Sequence, residues 1–249
     1  MLFGFDGVKS EYQLTEIRLR ILGIAAKWLF MLCVPILLLT ASLAGAANSL
    51  RLYEYGAETY NVSQRLADAG LELTDSEIKQ VYADLISYFN SNKENVNITV
   101  VKNGEPFNLF TPEETIHFRD VKGLIWLDYW LLLGTLVYAL AYAGVSLFRW
   151  RDRRGLAWGL IGGGGITLAL MLAFGLGAVF GFGDLFYQFH LVFFTNPYWS
   201  AEGFMLKLFP EDFFRDAALF CALTTVGLAI ILGGVSGGYL LFSRRRAKS

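Results

Sequence analysis

Histidine, cysteine and proline are scarce here: two, two and five among 249 residues, with only 17% of the chain charged. Cys33 and Cys221 both fall in apolar stretches and form no CxxC pair, so they read as small buried hydrophobes rather than a disulfide framework. A net charge of −1 leaves no basic excess to draw nucleic acid. No Ser, Cys or Lys stands in a recognisable nucleophile motif. His117, His190, Asp120 and Asp184 are ligand-type residues, but no HExxH or similar clustered spacing groups them into a metal site. The four glycines Gly162 to Gly165 lie inside an apolar run with no Lys-Ser or Lys-Thr behind them, so they form no phosphate cradle. Nothing calls for a cofactor.

What the chain has instead is apolar length. It is 55% hydrophobic and 16% aromatic, and a membrane-spanning helix needs about 20 apolar residues in a row. Trp28 to Ala47 and Tyr129 to Phe148 are uncharged throughout, and Leu156 to Gly183 and Ala217 to Ser243 are longer. The first run has a long leader and too long an apolar core for a cleaved signal, so it reads as a retained anchor. Arg18, Arg20 and Lys27 precede it, Arg149, Arg151, Arg153 and Arg154 fill the link between runs two and three, and Arg244, Arg245, Arg246 and Lys248 end the chain. With four spans, all three clusters share one face, and the positive-inside rule makes it cytoplasmic. The expected order is 1–27 inside, 28–47 span one, 48–123 outside, 124–148 span two and 149–155 inside. It continues with 156–183 as span three, 184–216 outside, 217–243 as span four and 244–249 inside. The fold class is an all-α polytopic membrane protein with four transmembrane helices and a small α+β extracytoplasmic insertion between the first two. Small residues four apart, Gly159/Gly163, Gly177/Gly181 and Gly233/Gly237, suit close helix packing in lipid.

The large outer segment reads as a folded unit. Thr74-Asp75-Ser76-Glu77 is a capping-box pattern, and it opens a stretch with Ile78, Val81, Tyr82, Leu85, Ile86 and Phe89 on one helical stripe. Ile98 to Val101 and Phe107 to Phe110 flank an Asn103-Gly104 pair, the strongest short hairpin signal. Thr111-Pro112-Glu113-Glu114 is a second capping box with Pro at the first helical position, and its helix carries His117 into span two.

Both histidines therefore lie just outside a span and on the same side of the membrane. Histidine exchanges a proton near neutral pH without special perturbation, so this placement suggests acid–base chemistry on a lipid. Asp120 is three residues beyond His117 on the same helix face and could hold one imidazole nitrogen. Around His190 runs an aromatic segment, Asp184 to Trp199, whose rings suit the headgroup layer. Asp128, about one turn inside span two, is a costly intramembrane carboxylate with an open role.

The same two segments carry a family resemblance. Thr111 to Lys122 resembles the acidic–His–xx–Asp–Val–Lys/Arg stretch of the lipoprotein intramolecular transacylases. Phe189-His190-Leu191-Val192-Phe193-Phe194-Thr195-Asn196-Pro197-Tyr198-Trp199 is similar to that family's Phe-His-xx-Phe-Phe-x-Asn-xx-Trp stretch, and Pro210-Glu211-Asp212-Phe213-Phe214 follows. One departure stands out: the interval Ser200 to Phe209 holds Glu202 as its only acid, where the family pattern has an Asp. The resemblance implies transfer of the sn-2 acyl chain of a diacylglyceryl-modified N-terminal cysteine to that cysteine's own α-amino group, giving a lyso-form lipoprotein. It implies His117 and His190 as the catalytic pair; beside them Asp120, Lys122 and Tyr187 are expected in support and Phe193, Phe194, Asn196 and Trp199 toward the substrate. The implied partners are the lipidated substrate and membrane lipids, and the oligomeric state stays open.

Elementary chemistry agrees. An α-amino group has a pKa near 8 and must lose a proton to attack an ester, a task an imidazole performs for about 10²–10⁴-fold. Intramolecular attack can bring roughly 7–11 kcal/mol when well oriented. Lys122, Tyr187, Asn196 or a protonated histidine could steady the oxyanion, and either histidine could be the base. An envelope lipid esterase, an acyltransferase with another acceptor, and a non-catalytic receptor or scaffold are the alternatives. Shared catalysis requires the two imidazoles within about 10 Å of each other, room for one ester between two groups at hydrogen-bond reach.

Overall fold

The structure is a computed structural model that describes the backbone of residues 5–246 and the side chains of residues 16–178 and 181–245. Residues 1–4 of the expected inner N-terminus, and Lys248 and the Arg246 side chain of the basic tail, lie outside the described residues. The helices are α1 Phe5–Ala47, α2 Leu50–Thr59, α3 Val62–Asp68, α4 Asp75–Phe89, α5 Pro112–Gly144, α6 Arg153–Phe193, α7 Met205–Leu208 and α8 Glu211–Arg246. Between α4 and α5 lies a two-stranded antiparallel sheet, β1 Thr99–Lys102 and β2 Glu105–Asn108. Among the described residues, four helices are long and apolar enough to cross a membrane: Glu16–Ala47, Pro112–Arg149, Arg153–Ala178 and Glu211–Arg245. Their large apolar side chains point outward in number, Leu172, Ile231 and Val235 among them, each well over half exposed. Lipid tails solvate such surfaces at no cost, and every backbone polar group of a helix is satisfied internally.

The chain forms two compact units. The first gathers Met1–Leu38, Leu132–Ala169 and Val226–Ser249. Its packing centres on Phe30 of α1, stacked on Tyr142 of α5 at 4.5 Å between ring centroids, while the Tyr138 hydroxyl donates to the Ala26 carbonyl at 2.8 Å. Only one of the three glycine pairs works as a helix contact between neighbours. A Cβ on Gly163 would meet Val34 Cβ at 2.6 Å and the Met31 carbonyl oxygen at 2.9 Å, so α6 approaches α1 as closely as the missing side chain allows. At Gly233 and Gly237 a Cβ would meet nothing within 4 Å, and that flank of α8 faces open space. At Gly177 the close atom is Leu185 Cδ1 of its own helix, at 3.3 Å. Spacing of four puts two glycines on one face but does not say which face a neighbour takes.

The second unit gathers Leu39–Leu131 and Leu170–Thr225. The stripe on α4 is its core: Ile78, Val81, Tyr82, Leu85 and Phe89 are buried, against Val62, Leu66, Leu71, Leu109 and Leu208. The capping box forms in full, with the Glu77 amide donating to Thr74 Oγ1 at 3.3 Å and the Thr74 amide to Glu77 Oε2 at 2.8 Å. The hairpin pairs Lys102 with Glu105 around a two-residue turn in which Asn103 and Gly104 have φ of 53° and 82°. Both central residues are thus left-handed, as a type I′ turn demands. The aromatic segment is helical over its first part, since α6 runs on through Phe193 past non-helical torsions at Gly181.

Candidate functional site

All residues of the site belong to the second unit. Helix α5 begins at Pro112 with Thr111 as its cap: the Glu114 amide donates to Thr111 Oγ1 at 3.2 Å and the Thr111 amide to Glu114 Oε2 at 2.9 Å. One turn on, α5 carries His117. His190 sits near the end of α6. The two imidazoles come together, with ring centroids 6.2 Å apart and planes 30° from parallel. Both are buried, with 7% and 6% of their surface exposed.

Aromatic rings enclose them. Phe194 lies 4.8 Å from His117 and 5.3 Å from His190, Phe186 lies 4.3 Å from His190 on one side, and Trp199 lies 4.7 Å from it on another. Tyr187 reaches the site only through Trp199, at 5.8 Å, and Phe193 packs on Phe189 with half its surface exposed. Phe186 was not among the expected site residues. Its four-residue spacing from His190 becomes visible only once Asp184 to Phe193 is known to be helical.

The hydrogen bonds give the two rings different roles. His190 Nδ1 lies 2.6 Å from the Phe186 carbonyl oxygen, one helical turn back. A carbonyl can only accept, so Nδ1 holds the proton and Nε2 of the neutral ring carries the free lone pair. Among the described residues, buried His117 Nδ1 has no hydrogen-bond partner. Asp120 does not hold it. The Asp120 carboxylate accepts from Asn196 Nδ2 at 2.8 Å instead, and Asn196 Oδ1 accepts from the Tyr198 amide at 3.1 Å. Asp120 is thereby tied to the loop that presents Trp199, while its negative charge still bears on His117.

His117 precedes the uncharged stretch Tyr129 to Phe148 of its helix, His190 follows Arg153–Ala178, and burial favours the neutral form of both rings. Burial pushes the His117 pKa down to about 4, helped by the neighbouring His190 and opposed by Asp120. Burial also lowers that of His190, opposed by its bond to Phe186. A ring that resists protonation stays available as a base or neutral donor well below neutral pH.

Glu114 does more than cap α5. Fully buried, it accepts a hydrogen bond at Oε1 from the Met205 amide at 2.6 Å and packs so tightly on Gly203 that no side chain fits there. Burial raises its carboxyl pKa against the pull of the Thr111 and Met205 amides. The sequence signals its capping role but not this second partner. Lys122 stands apart from the rings: its ammonium donates to the Lys93 carbonyl at 2.6 Å and lies 4.4 Å from the Tyr88 ring centroid. Asp128 is half-buried deeper on α5. Among the described residues no three His, Cys, Asp or Glu side chains are grouped to hold a metal ion.

A family model described as the lipoprotein intramolecular transacylase Lit matches residues 28–214, both histidines included. The chain belongs to that family. It is therefore an acyltransferase by family, integral to the membrane. The in meso structure of the membrane-integral transacylase Lit from Bacillus cereus superposes with a TM-score of 0.74 at 21% identity, over 90% of this chain and 98% of that one. Structures of the same Bacillus cereus protein with a histidine replaced by arginine or alanine give TM-scores of 0.71 and 0.72 at 19% identity. These cover 97% and 93% of this transacylase and 99% of each of those chains. At such identities the likeness carries the fold. No curated protein matches this chain.

Proposed function

We propose that this transacylase moves the sn-2 acyl chain of a diacylglyceryl-modified N-terminal cysteine onto that cysteine's α-amino group, by histidine acid–base catalysis at the extracytoplasmic face. One observation carries the reading: two buried, neutral imidazoles stand 6.2 Å apart, one of them with its tautomer pinned. The acyl transfer joins an amine to an ester within one molecule, so it needs no second substrate and no protein nucleophile, and no Ser, Cys or Lys stands in a nucleophile motif.

His190 Nε2 takes the proton as the amine nitrogen attacks the sn-2 carbonyl carbon. The N–C bond forms, the tetrahedral centre collapses, and the carbonyl carbon's bond to the glyceryl oxygen breaks. That oxygen leaves with a proton returned from the imidazolium. His117, the second neutral ring, donates a ring N–H to the carbonyl oxygen as charge builds there. Atoms balance without water: the product has an amide, a free hydroxyl at glyceryl C2 and the original mass. The aromatic lining of Phe186, Phe194 and Trp199 supports the reading, because it keeps water from intercepting the acyl group. The clusters of Arg and Lys, all on the opposite side of the spans from the histidines, support an outward-facing site and cytoplasmic termini.

The test is mass spectrometry of a diacylglyceryl-modified lipopeptide incubated with the full-length protein in vesicles. The expected product has unchanged mass and one acyl chain turned from base-labile ester to base-stable amide. Loss of an acyl chain's mass would mean hydrolysis, and gain by a second molecule would mean another acceptor. Either result overturns the proposal.

A further inference from the structure

A second polar site lies on α5 around Lys122, apart from the two imidazoles. Lys122 is 92% buried by surface, its exposure being 8%, yet it sits before the apolar stretch of its helix. Its ammonium has three N–H groups. The Lys93 carbonyl accepts one at 2.6 Å and the Tyr88 ring faces the group at 4.4 Å, which leaves hydrogen-bonding capacity over. Among the described residues no carboxylate lies within ion-pair distance of it. The partly desolvated ammonium has no carboxylate beside it, so an anion from outside the chain would complete the site.

Beside Lys122 opens a cleft of about 390 Å³, lined also by Ser91, Asn92, Lys93, Glu94, Arg119 and Trp126. Its one acid, Glu94, turns to Arg119 at 3.4 Å, so Lys93 and Lys122 remain as uncompensated charge. Its depth is fixed by Trp126, whose indole N–H donates to the Phe89 carbonyl at 3.1 Å, and by Gly123, where the apolar stretch of α5 begins. Tryptophan marks the headgroup layer. At that level an anion with an apolar body has one abundant source, the bilayer itself.

We propose that the cleft between the Ser91–Glu94 turn and α5 binds the phosphodiester headgroup of an anionic glycerophospholipid, with Lys122 beneath the phosphate and Lys93 and Arg119 at its rim. Basic pockets beside membrane helices recognise headgroups in this way. The lipid is distinct from the acyl donor: it neutralises Lys122 and holds the turn after α4 against the helix that carries His117.

The experiment is native mass spectrometry and thermal unfolding of the full-length protein in neutral detergent, with phosphatidylglycerol, phosphatidylcholine or inorganic phosphate added. The wild type is expected to retain phosphatidylglycerol adducts and gain melting temperature with that lipid, while phosphatidylcholine and inorganic phosphate at equal concentration do little. Lys122→Gln is expected to weaken phosphatidylglycerol binding on the order of tenfold. Because a buried lysine can matter for folding, the surface double variant Lys93→Gln/Arg119→Gln is the independent arm, with the same expected weakening. Equal response to both lipids, an equal response to inorganic phosphate, or unchanged binding in the double variant would overturn the proposal. None of these outcomes bears on acyl transfer, whose own readout is the ester-to-amide change.

Discussion

At the scale of single residues, the pair His117 and His190 is built for neutral-ring chemistry. Replacing either with Asn is expected to lower the rate of acyl migration by about 10²–10⁴-fold while the protein still inserts and folds, measured as ester-to-amide conversion in vesicles. The pH dependence follows from the same burial. With the His117 pKa near 4 and that of His190 below its usual 6.5, both rings are neutral at pH 7 and above. The rate is therefore expected to climb with deprotonation of the substrate amine, near pH 8, without an inflection at 6.5. A rate profile breaking at about 6.5 would contradict it. Stability, unlike the rate, does titrate with this histidine. Unfolded histidine binds a proton below about 6.5 and folded His117 does so only below about 4, so the unfolded state takes up more protons in between. The folded protein should therefore be fully stabilised by this group above 6.5 and lose that part as pH falls toward 4, readable as a falling melting temperature.

Among the elements, one carboxylate joins two segments. Glu114 caps α5 and accepts from the Met205 amide, so the position of His117 and the course of the chain after Trp199 are set by the same side chain. Glu114→Ala is expected to strand the buried Met205 N–H at about 1–3 kcal/mol, and Gly203→Ala to displace the carboxylate with a similar loss of melting temperature. Glycines of one helical spacing should respond oppositely. Gly163→Val forces α6 off α1 and should lower stability, whereas Gly237→Ala meets open space and should gain roughly 0.5–1 kcal/mol of helix preference.

Across the whole molecule, the distribution of charge governs topology. With arginine and lysine clustered before span one, between spans two and three, and after span four, the proposed topology puts both termini inside. A cysteine placed at Asn103, in the exposed hairpin turn, is expected to react with a membrane-impermeant maleimide in intact cells, and one placed at Arg153 only after lysis. Cys33 and Cys221 are buried and should not compete. The reverse labelling pattern would put the histidines on the inner leaflet and end the case for an extracytoplasmic site.

The spans, the two capping boxes, the α4 stripe and the Asn103-Gly104 turn were all legible in the order of residues, because each is a local signal: one unbroken apolar run of about 20 residues for a span, and neighbours within a few turns for the rest. The family resemblance lay there too, in the two histidine stretches. Tertiary structure alone decided which partners those groups took. Asp120 shares a helix face with His117, yet it bonds Asn196, and Lys122 turns to Lys93 and Tyr88. Likewise Glu114 meets Met205, Phe186 pins His190, and the two imidazoles stand 6.2 Å apart. Helical periodicity fixes where a side chain sits around its own axis, but the rotation and crossing of packed helices determine what it faces.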